Sequence, residues 1–223
     1  MGELLEEISL RNKLHVFEDR TEAGRCLYGK LIQYKDSDCI VLAIPSGGVP
    51  VAREIAAGLN LPMDLLIVRK LQIPYNPEAG FGAMGLGREI ILNQQLIDQL
   101  GLTEDEIRAQ AEKTKEIIKR RDQVFRKERP FPSLKDRIVI LVDDGLASGY
   151  TMLAAVRFVK RKTPKKIIVA VPTSSKRTVE LILPEVDELV CLNVRSGISF
   201  AVADAYRNWY DLSDGDALSI IRS

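Results

Sequence analysis

Five short apolar runs constrain the fold of this chain more than any other feature. Each run is rich in Val, Ile and Leu and shows no polar alternation, so both faces of the strand that it forms must be buried. Strands of this kind are typical of parallel sheets that helices cover on both sides. The predicted strands span residues 39–44, 65–68, 138–142, 167–171 and 186–192.

Stretches with helical apolar spacing separate these strands. The alternation predicts an α/β fold, a doubly wound parallel sheet of about five strands. In sheets of this class, ligands bind beyond the carboxyl ends of the strands. The predicted helices span residues 21–33, 49–59, 103–128, 150–161 and 176–183.

Two regions interrupt the alternation of strands and helices. Residues 71–93 begin as a loop rich in Pro and Gly and then offer one short strand at 90–92. Helix 103–128 carries charges of both signs, which is typical of a solvated face or of a helix that packs on a partner. We therefore predict one domain over residues 1–223. Its parts are a core at about 14–70 and 134–195 and an inserted hood lobe at about 71–133, joined by the C-terminal segment 196–223.

Composition excludes several classes of protein. With 223 residues, of which 46% are hydrophobic, the chain can bury a substantial core. The formal net charge of +1 provides no overall field for a membrane surface or a nucleic acid, so neither partner is expected. The sequence shows no secretory signal core and no apolar run of about 20 residues, which predicts a soluble cytoplasmic protein. Cys26, Cys39 and Cys191 are too widely spaced for a disulfide framework or a zinc site, and we expect buried thiols.

The segment LVDDGLASGYTM at 141–152 places two adjacent carboxylates at the end of a buried strand. Asp143 and Asp144 repel each other unless cationic or hydroxyl groups lie between them. The small and hydroxyl residues that follow predict a strand-to-helix turn whose free backbone N–H groups favour a phosphate. The alternative is a simple turn with Ser148 as a helix cap, which explains the small residues but not the carboxylate pair.

A second turn of small residues, IPSGGVPVA at 44–52, also joins a strand to a helix. It offers another anion site at the same edge of the sheet. Arg69 and Lys70 follow strand 65–68 and would neutralise a polyphosphate, although charged residues are also common at exposed strand ends. The GFGAMG segment at 80–85 matches G-x-G-x-x-G, but a strand rather than a helix follows it, so we reject a dinucleotide site.

Residues 138–151 resemble the signature of the type I phosphoribosyltransferases, in which an apolar strand, two acids, a short spacer, Ser or Thr, Gly and Thr follow in order. The resemblance extends over nearly the whole chain to one branch of that family. That branch is marked here by FEDRTEAGRCL, LAIPSGGVPVA, IVRKLQIPYNPEAGFGAMG and WYDLSDGDAL. Two positions depart from the family pattern: Ser46 stands where the branch usually has arginine, and Tyr150 stands where glycine is often found.

The resemblance implies that the chain binds phosphoribosyl pyrophosphate together with Mg²⁺. Asp143 and Asp144 would hold the ribose 2′- and 3′-hydroxyls and, indirectly, the metal. Arg69 and Lys70 would act as catalytic groups that stabilise the leaving pyrophosphate. The loop that contacts the pyrophosphate, often through a non-proline cis peptide, would consist of Ser46, Gly47 and Gly48. The turn around the 5′-phosphate would consist of Ala147, Ser148, Gly149, Tyr150 and Thr151.

By this resemblance the chain is expected to be a Mg²⁺-dependent pentosyltransferase of nucleotide metabolism. It would transfer the 5-phosphoribosyl group to a nitrogenous acceptor such as a nucleobase, and a homodimer is compatible with the sequence. A mobile loop at about 71–84 would close over the reaction. The alternative function is a non-catalytic regulatory protein that binds phosphoribosyl pyrophosphate on the same fold.

The acceptor would be selected by the hood lobe. Residues 90–93 are one candidate segment. A set of aromatic residues near the C-terminus is the other candidate. The alternative is that these side chains belong to the core. The members of the set are Phe200, Tyr206, Trp209 and Tyr210.

Overall fold

The computed structural model describes residues 2–87, 89–127, 129–197 and 199–222, with only the backbone of residues 77 and 78. Its strands are, in chain order, β1 (Glu3–Leu5), β2 (Cys39–Ala43), β3 (Met63–Leu65), β4 (Val68–Ile73), β5 (Asn76–Gly85), β6 (Ile90–Leu92), β7 (Ile138–Val142), β8 (Lys166–Ser175) and β9 (Glu188–Arg195). Its α-helices are α1 (Arg20–Lys30), α2 (Gly48–Leu59), α3 (Gln94–Leu100), α4 (Glu104–Arg126), α5 (Tyr150–Lys160), α6 (Lys176–Ile182) and α7 (Asp214–Arg222).

Within the described residues, six parallel strands form the central sheet in the order β1-β9-β8-β7-β2-β3. Alternate side chains of β2 belong to two apolar clusters on opposite faces of the sheet. Val41 shares one cluster with Ile55 of α2, and Leu42 shares the other with Val156 of α5. The predicted doubly wound α/β fold is therefore confirmed. The short strand β1 is an addition that its mixed sequence did not predict.

The chain leaves the adjacent strands β2 and β7 in opposite directions across the sheet. From β2 it continues to β3 on one side, and from β7 it continues to β8 and β9 on the other. The crevice beyond the carboxyl ends of such a pair is the usual ligand site of an open α/β sheet. Ala43 pairs with Val142 in register, and the Ile44 N–H donates to the Val142 carbonyl at 2.9 Å. The two predicted anion-binding turns therefore leave the sheet side by side.

Residues 71–84 belong to a hairpin of β4 and β5 rather than to the predicted mobile loop. β4, β5 and β6 make a separate antiparallel sheet, and a two-residue turn at 74–75 joins β4 to β5. The prediction of one strand at 65–68 was also wrong, because β3 ends at Leu65 and β4 begins at Val68. The glycines of this region serve strand pairing: a Cβ on Gly82 would overlap with the Ile91 carbonyl oxygen of the neighbouring strand. The division into core and inserted lobe stays a prediction.

Helix α4 is the predicted long charged helix, and it packs against β4 and β5 of the same chain. Thr103 and Glu106 form a capping box at its start. Its buried stripe recurs every three or four residues and includes Ala111, Thr114, Ile118, Arg121 and Phe125. Arg121 thus lies within the buried stripe, which the prediction of a solvated face or of a helix that packs on a partner did not anticipate.

No helix in the described parts of the chain combines the length and the apolar character that crossing a membrane requires.

We expect Gly82→Ala to lower the free energy of unfolding by about 2 kcal/mol, because the added Cβ would push β5 away from β6. Urea denaturation followed by circular dichroism measures the change. Gly29→Ala near the end of α1 is the control, since a Cβ there meets nothing within 4 Å. That variant should be neutral or more stable by up to about 1 kcal/mol, and an equal loss in both variants would contradict the packing role of Gly82.

Candidate functional site

A crevice of about 500 Å³ lies at the carboxyl edge of the central sheet. One wall is the turn that follows β7, the second is Ile44 and Pro45 after β2, and the third is the hairpin of β4 and β5. Many sequence-predicted residues meet here. The lining set includes Asp143, Arg69, Lys70, Ala147, Ser148, Gly149, Tyr150 and Thr151.

A larger cavity, of about 610 Å³, lies beside the end of α4. Its Arg126 side chain already donates to Asp122 and Asp64 and to the Leu65 carbonyl. Because that cation is neutralised within the fold and no acid pair is found among the described residues that line the cavity, we place the candidate site at the 500 Å³ crevice.

The turn after β7 presents free backbone donors to the crevice. Gly149 precedes α5 with φ of +82°, a left-handed conformation that disfavours any other residue. No side chain of the described residues caps α5, so Ser148 is not the helix cap of the simple-turn alternative. The Thr178 hydroxyl donates to the Ala147 carbonyl at 2.6 Å and holds the turn in place. The uncapped N–H groups and the positive end of the helix dipole are suited to a phosphate.

The two adjacent acids have different surroundings. Asp143 lines the crevice and accepts a 2.9 Å hydrogen bond from the Asp144 N–H. Asp144 instead accepts a 2.9 Å hydrogen bond from Arg20 Nε, and its backbone carbonyl accepts one of 2.6 Å from the Tyr206 hydroxyl. The Arg20 side chain is only 6% exposed. Asp144 is therefore tied into the fold, whereas Asp143 faces the site.

Burial raises the pKa of Asp143 well above its usual range, and the negative charge of Asp144 adds to the rise. Burial also raises the pKa of Asp144, and Arg20 opposes this rise. Charge on this pair is thus disfavoured in the unliganded fold. A ligand that brings hydroxyl donors or a cation would relieve that cost.

The turn after β2 lies directly against the acid pair. A Cβ on Gly47 would overlap with the Asp144 carboxylate, and one on Gly48 would overlap with the Val142 carbonyl oxygen. The peptide bond between Pro45 and Ser46 is cis, as the resemblance implied for this loop. Glycine is required at both positions by close approach, since any side chain would separate the two turns.

Arg69 and Lys70 lie within β4 rather than at the end of a core strand, and both line the crevice. Burial lowers the pKa of Arg69, and the nearby charge of Arg121 lowers it further. Repulsion between these two guanidinium groups favours an anion near them, and Arg121 already pairs with Asp214.

Most of the aromatic residues that were predicted to select an acceptor make their contacts outside the crevice. Tyr206 is buried and bonded to the acid turn, and the Trp209 ring lies 3.9 Å from the guanidinium carbon of Arg20. Phe200 lies 5.1 Å from the guanidinium carbon of Arg195, and Tyr210 is exposed. None of the four lines the crevice. The core alternative is the better description of Tyr206.

Sequence reasoning missed three charged residues of this site: Arg20, Arg121 and Asp214. Arg20 belongs to the family-marking segment FEDRTEAGRCL, which was its one available signal. Arg121 lies among several exposed cations of α4, and nothing in the sequence separates it from them. Asp214 begins α7, a helix that was not predicted.

Comparisons with known proteins relate the chain to one family. The family described as "Phosphoribosyl transferase domain" matches residues 21–205. Two proteins of Mycobacterium tuberculosis, from strains CDC 1551 / Oshkosh and ATCC 25618 / H37Rv, are each named "Putative phosphoribosyl transferase". Each is 36% identical over 208 residues, which make up 93% of this chain and 47% of the relative. The chain therefore spans about half the length of the curated relatives that it matches.

The solved structures that are similar to the chain include the following two. TT1426 from Thermus thermophilus is 34% identical with a TM-score of 0.74, and the match covers 92% of this chain and 97% of that one. A hypoxanthine phosphoribosyltransferase from Staphylococcus aureus has a TM-score of 0.51 at 11% identity, and the match covers 89% of this chain and 85% of that one. The second likeness concerns the fold alone.

We expect Asp143→Asn to raise the free energy of unfolding at pH 7 by an amount on the order of 1 kcal/mol. Because folding raises the pKa of Asp143, the folded state binds this proton more tightly than the unfolded chain does. The resulting stability is complete at low pH and is lost as the pH rises through the folded pKa. Neutral Asn does not lose stability in this way. The difference in the free energy of unfolding between the Asn variant and the unaltered chain should therefore shrink from pH 7 to about pH 4, as measured by urea denaturation.

Asp144→Asn is the matched comparison for that prediction. It leaves the buried Arg20 cation without its full counter-charge, so we expect the free energy of unfolding to fall by about 2 kcal/mol. An equal gain in both variants would contradict the different roles of the two acids.

Proposed function

The chain belongs to the type I phosphoribosyltransferase family, and on that premise we propose that it transfers a 5-phosphoribosyl group from phosphoribosyl pyrophosphate to a nitrogenous acceptor, a nucleobase. The observation that carries the proposal is the meeting of three features at one edge of the sheet. The carboxylate of Asp143 and the uncapped turn before α5 line the crevice, and the glycine turn before α2 packs directly against the acid pair.

The 5′-phosphate of the donor is proposed to bind the turn at 147–151. The backbone N–H groups at the start of α5 would donate to its oxygens, and Ser148 and Thr151 would add hydroxyl donors. Gly149 supports this assignment, because its left-handed conformation lets the chain turn sharply around a bound group.

The ribose hydroxyls are proposed to bind the acid pair. Asp143, which lines the crevice, would accept their hydrogen bonds. Asp144 would support this contact from behind, held by Arg20 and by the Tyr206 hydroxyl. Hydrogen bonds from the ribose would favour the charged carboxylate and so reverse the cost that burial imposes on it.

Mg²⁺ fits this arrangement. Asp143 lines the crevice, and its carboxylate oxygens are ligands of the kind that Mg²⁺ prefers. Mg²⁺ is usually held by one or two carboxylates, water and the phosphates of a ligand, so Asp143 and, indirectly, Asp144 would hold it. When bound, the ion would supply positive charge that neutralises the pyrophosphate.

In the transfer, the bond between ribose C1 and the pyrophosphate oxygen breaks, and its electron pair leaves with the pyrophosphate. The acceptor nitrogen forms the new bond to C1 and releases its proton. Negative charge therefore grows on the leaving group, where Arg69 and Lys70, which line the crevice, and the backbone amide of Gly47 would stabilise it. The hairpin of β4 and β5 would shield this charge from water on one side.

The acceptor is proposed to bind in a neighbouring cavity of about 460 Å³. This cavity shares Ser148 and Tyr150 with the phosphate turn and is also lined by Asn93 and Arg177. Asn93 belongs to the segment 90–93 that was predicted to select the acceptor. A ring face together with amide and guanidinium donors is suited to a flat nitrogen heterocycle.

The first experiment is calorimetric titration of the whole chain with phosphoribosyl pyrophosphate in the presence of Mg²⁺, followed by a pyrophosphate-release assay with a panel of purines and pyrimidines. Base-dependent release supports the transferase. Tight binding without release on any base contradicts transfer to a nucleobase and favours the regulatory alternative.

We expect Asp143→Asn to lower turnover by at least about 100-fold while the chain stays folded, because the ribose would lose the carboxylate that orients C1. Asp105→Asn is the control, since its side chain on α4 is 94% exposed. Pyrophosphate release at equal enzyme concentration measures both variants. Unchanged turnover in Asp143→Asn would overturn the assignment of the ribose site.

A further inference from the structure

Ser46 has charged neighbours that its own loop does not supply. The branch that the sequence resembles usually has arginine at this position, and serine brings no positive charge. In the fold, the Ser46 hydroxyl accepts a 3.1 Å hydrogen bond from Arg121 Nη2 and donates one of 3.0 Å to Asp214 Oδ1. A guanidinium group from α4 therefore contacts the side chain that stands in the place of an arginine.

The Arg121 guanidinium is buried yet incompletely bonded. Its side chain is 8% exposed. Its Nε donates to Asp214 Oδ2 at 2.9 Å and its Nη2 bonds to Asp214 Oδ1. Its Nη1 is buried and has no acceptor among the described residues. A buried cationic donor without an acceptor is costly, and it indicates that one further anionic oxygen belongs beside it.

Arg121 is also close to the crevice. Arg69 lines the crevice, and its pKa is lowered by burial and then by the charge of Arg121. Pro45, the residue before Ser46, lines the crevice as well. Arg121 thus lies behind the wall that the proposed pyrophosphate loop forms.

The Asp214 carboxylate has the surroundings expected of a bound phosphate oxygen. It receives the Ser46 hydroxyl and both contacts from Arg121. Burial alone would raise its pKa, but Arg121, Ser46 and Arg69 together lower it. Its side chain is 41% exposed at the start of α7, so it can turn toward solvent without leaving a buried charge.

We propose that Arg121 supplies the positive charge that Ser46 lacks and binds the pyrophosphate end of the donor, and that Asp214 occupies this anion site until the ligand displaces it. This inference rests on the proposed function. A phosphate carries more charge than a carboxylate and accepts the same forked hydrogen bonds from a guanidinium group, so it competes well for Arg121. Asp214 accepts hydrogen bonds from Nε and Nη2, and a phosphate has a further oxygen beyond the two that would replace this carboxylate. That oxygen would be the acceptor that Nη1 lacks.

The test compares two probes on the full chain by calorimetry with Mg²⁺: inorganic pyrophosphate and ribose 5-phosphate. Asp214→Asn removes the competing charge, and we expect it to bind pyrophosphate several-fold more tightly than the unaltered chain does. The double variant Arg121→Gln with Asp214→Asn leaves no orphaned carboxylate, and it should bind pyrophosphate at least about tenfold more weakly than Asp214→Asn. The affinity for ribose 5-phosphate should be the same in every variant.

Arg120→Gln is the matched control, because it removes an exposed cation one residue away on the same helix. Thermal unfolding checks that each variant is folded. If the double Gln variant is not folded, Arg121→Lys with Asp214→Asn replaces it. The pyrophosphate affinity of this substitute should lie between that of Asp214→Asn and that expected for the double Gln variant. Equal pyrophosphate affinity in Asp214→Asn and in the folded double variant would overturn the inference and leave Arg121 as a tie between α4 and α7. Loss of both probes from the unaltered chain would instead contradict the proposed function itself.

Discussion

The parallel pairing of β2 with β7 is the interaction on which the rest of the site depends. It aligns Ala43 with Val142, so two strand-to-helix turns leave the sheet at the same level. Gly47 and Gly48 then let the first turn lie against the acids of the second, at a distance that no side chain would permit. One crevice therefore places the Asp143 carboxylate, with Asp144 behind it, beside the free backbone donors of the turn before α5. A shift of register between these two strands would separate the groups and remove the site.

Charge around this crevice is arranged at a cost to the unliganded fold. Asp143 is held among neighbours that disfavour its negative form, while Asp144 shares a buried ion pair with Arg20. Arg20 in turn stacks on Trp209 and donates to the Tyr210 carbonyl, so the acid turn is linked to the first helix and to the C-terminal segment. Polar groups that lack a hydrogen-bond partner or a counter-charge in the empty site gain the most free energy when a complementary ligand binds. The Nη1 group of Arg121 is another such group, because it is buried and has no acceptor among the described residues.

Helix α4 illustrates how a mixed-charge sequence divides its charges between solvent and interior. Most of its cations are exposed, but Arg121 and Arg126 are buried on the side that packs against the hairpin. Arg126 is fully engaged by Asp122, Asp64 and a carbonyl, so it stabilises the contact between α4 and the core. Arg121 keeps one donor without an acceptor among the described residues. Two arginines five positions apart on one helix thus have different chemistry because their neighbours differ.

The sequence by itself determined the doubly wound sheet, most helices and the position of the acid turn, because apolar periodicity and turn chemistry are local properties of the chain. It did not determine the hairpin of β4 and β5, since glycines that permit close strand pairing have the same composition as a flexible loop. Nor did it indicate that Arg20 would meet Asp144, 124 positions away, or that Arg121 would meet Asp214, 93 positions away. Those pairings, and the different roles of the two acids, were decided by the tertiary structure. Contacts between distant residues depend on the path of the whole chain, and no local pattern records that path.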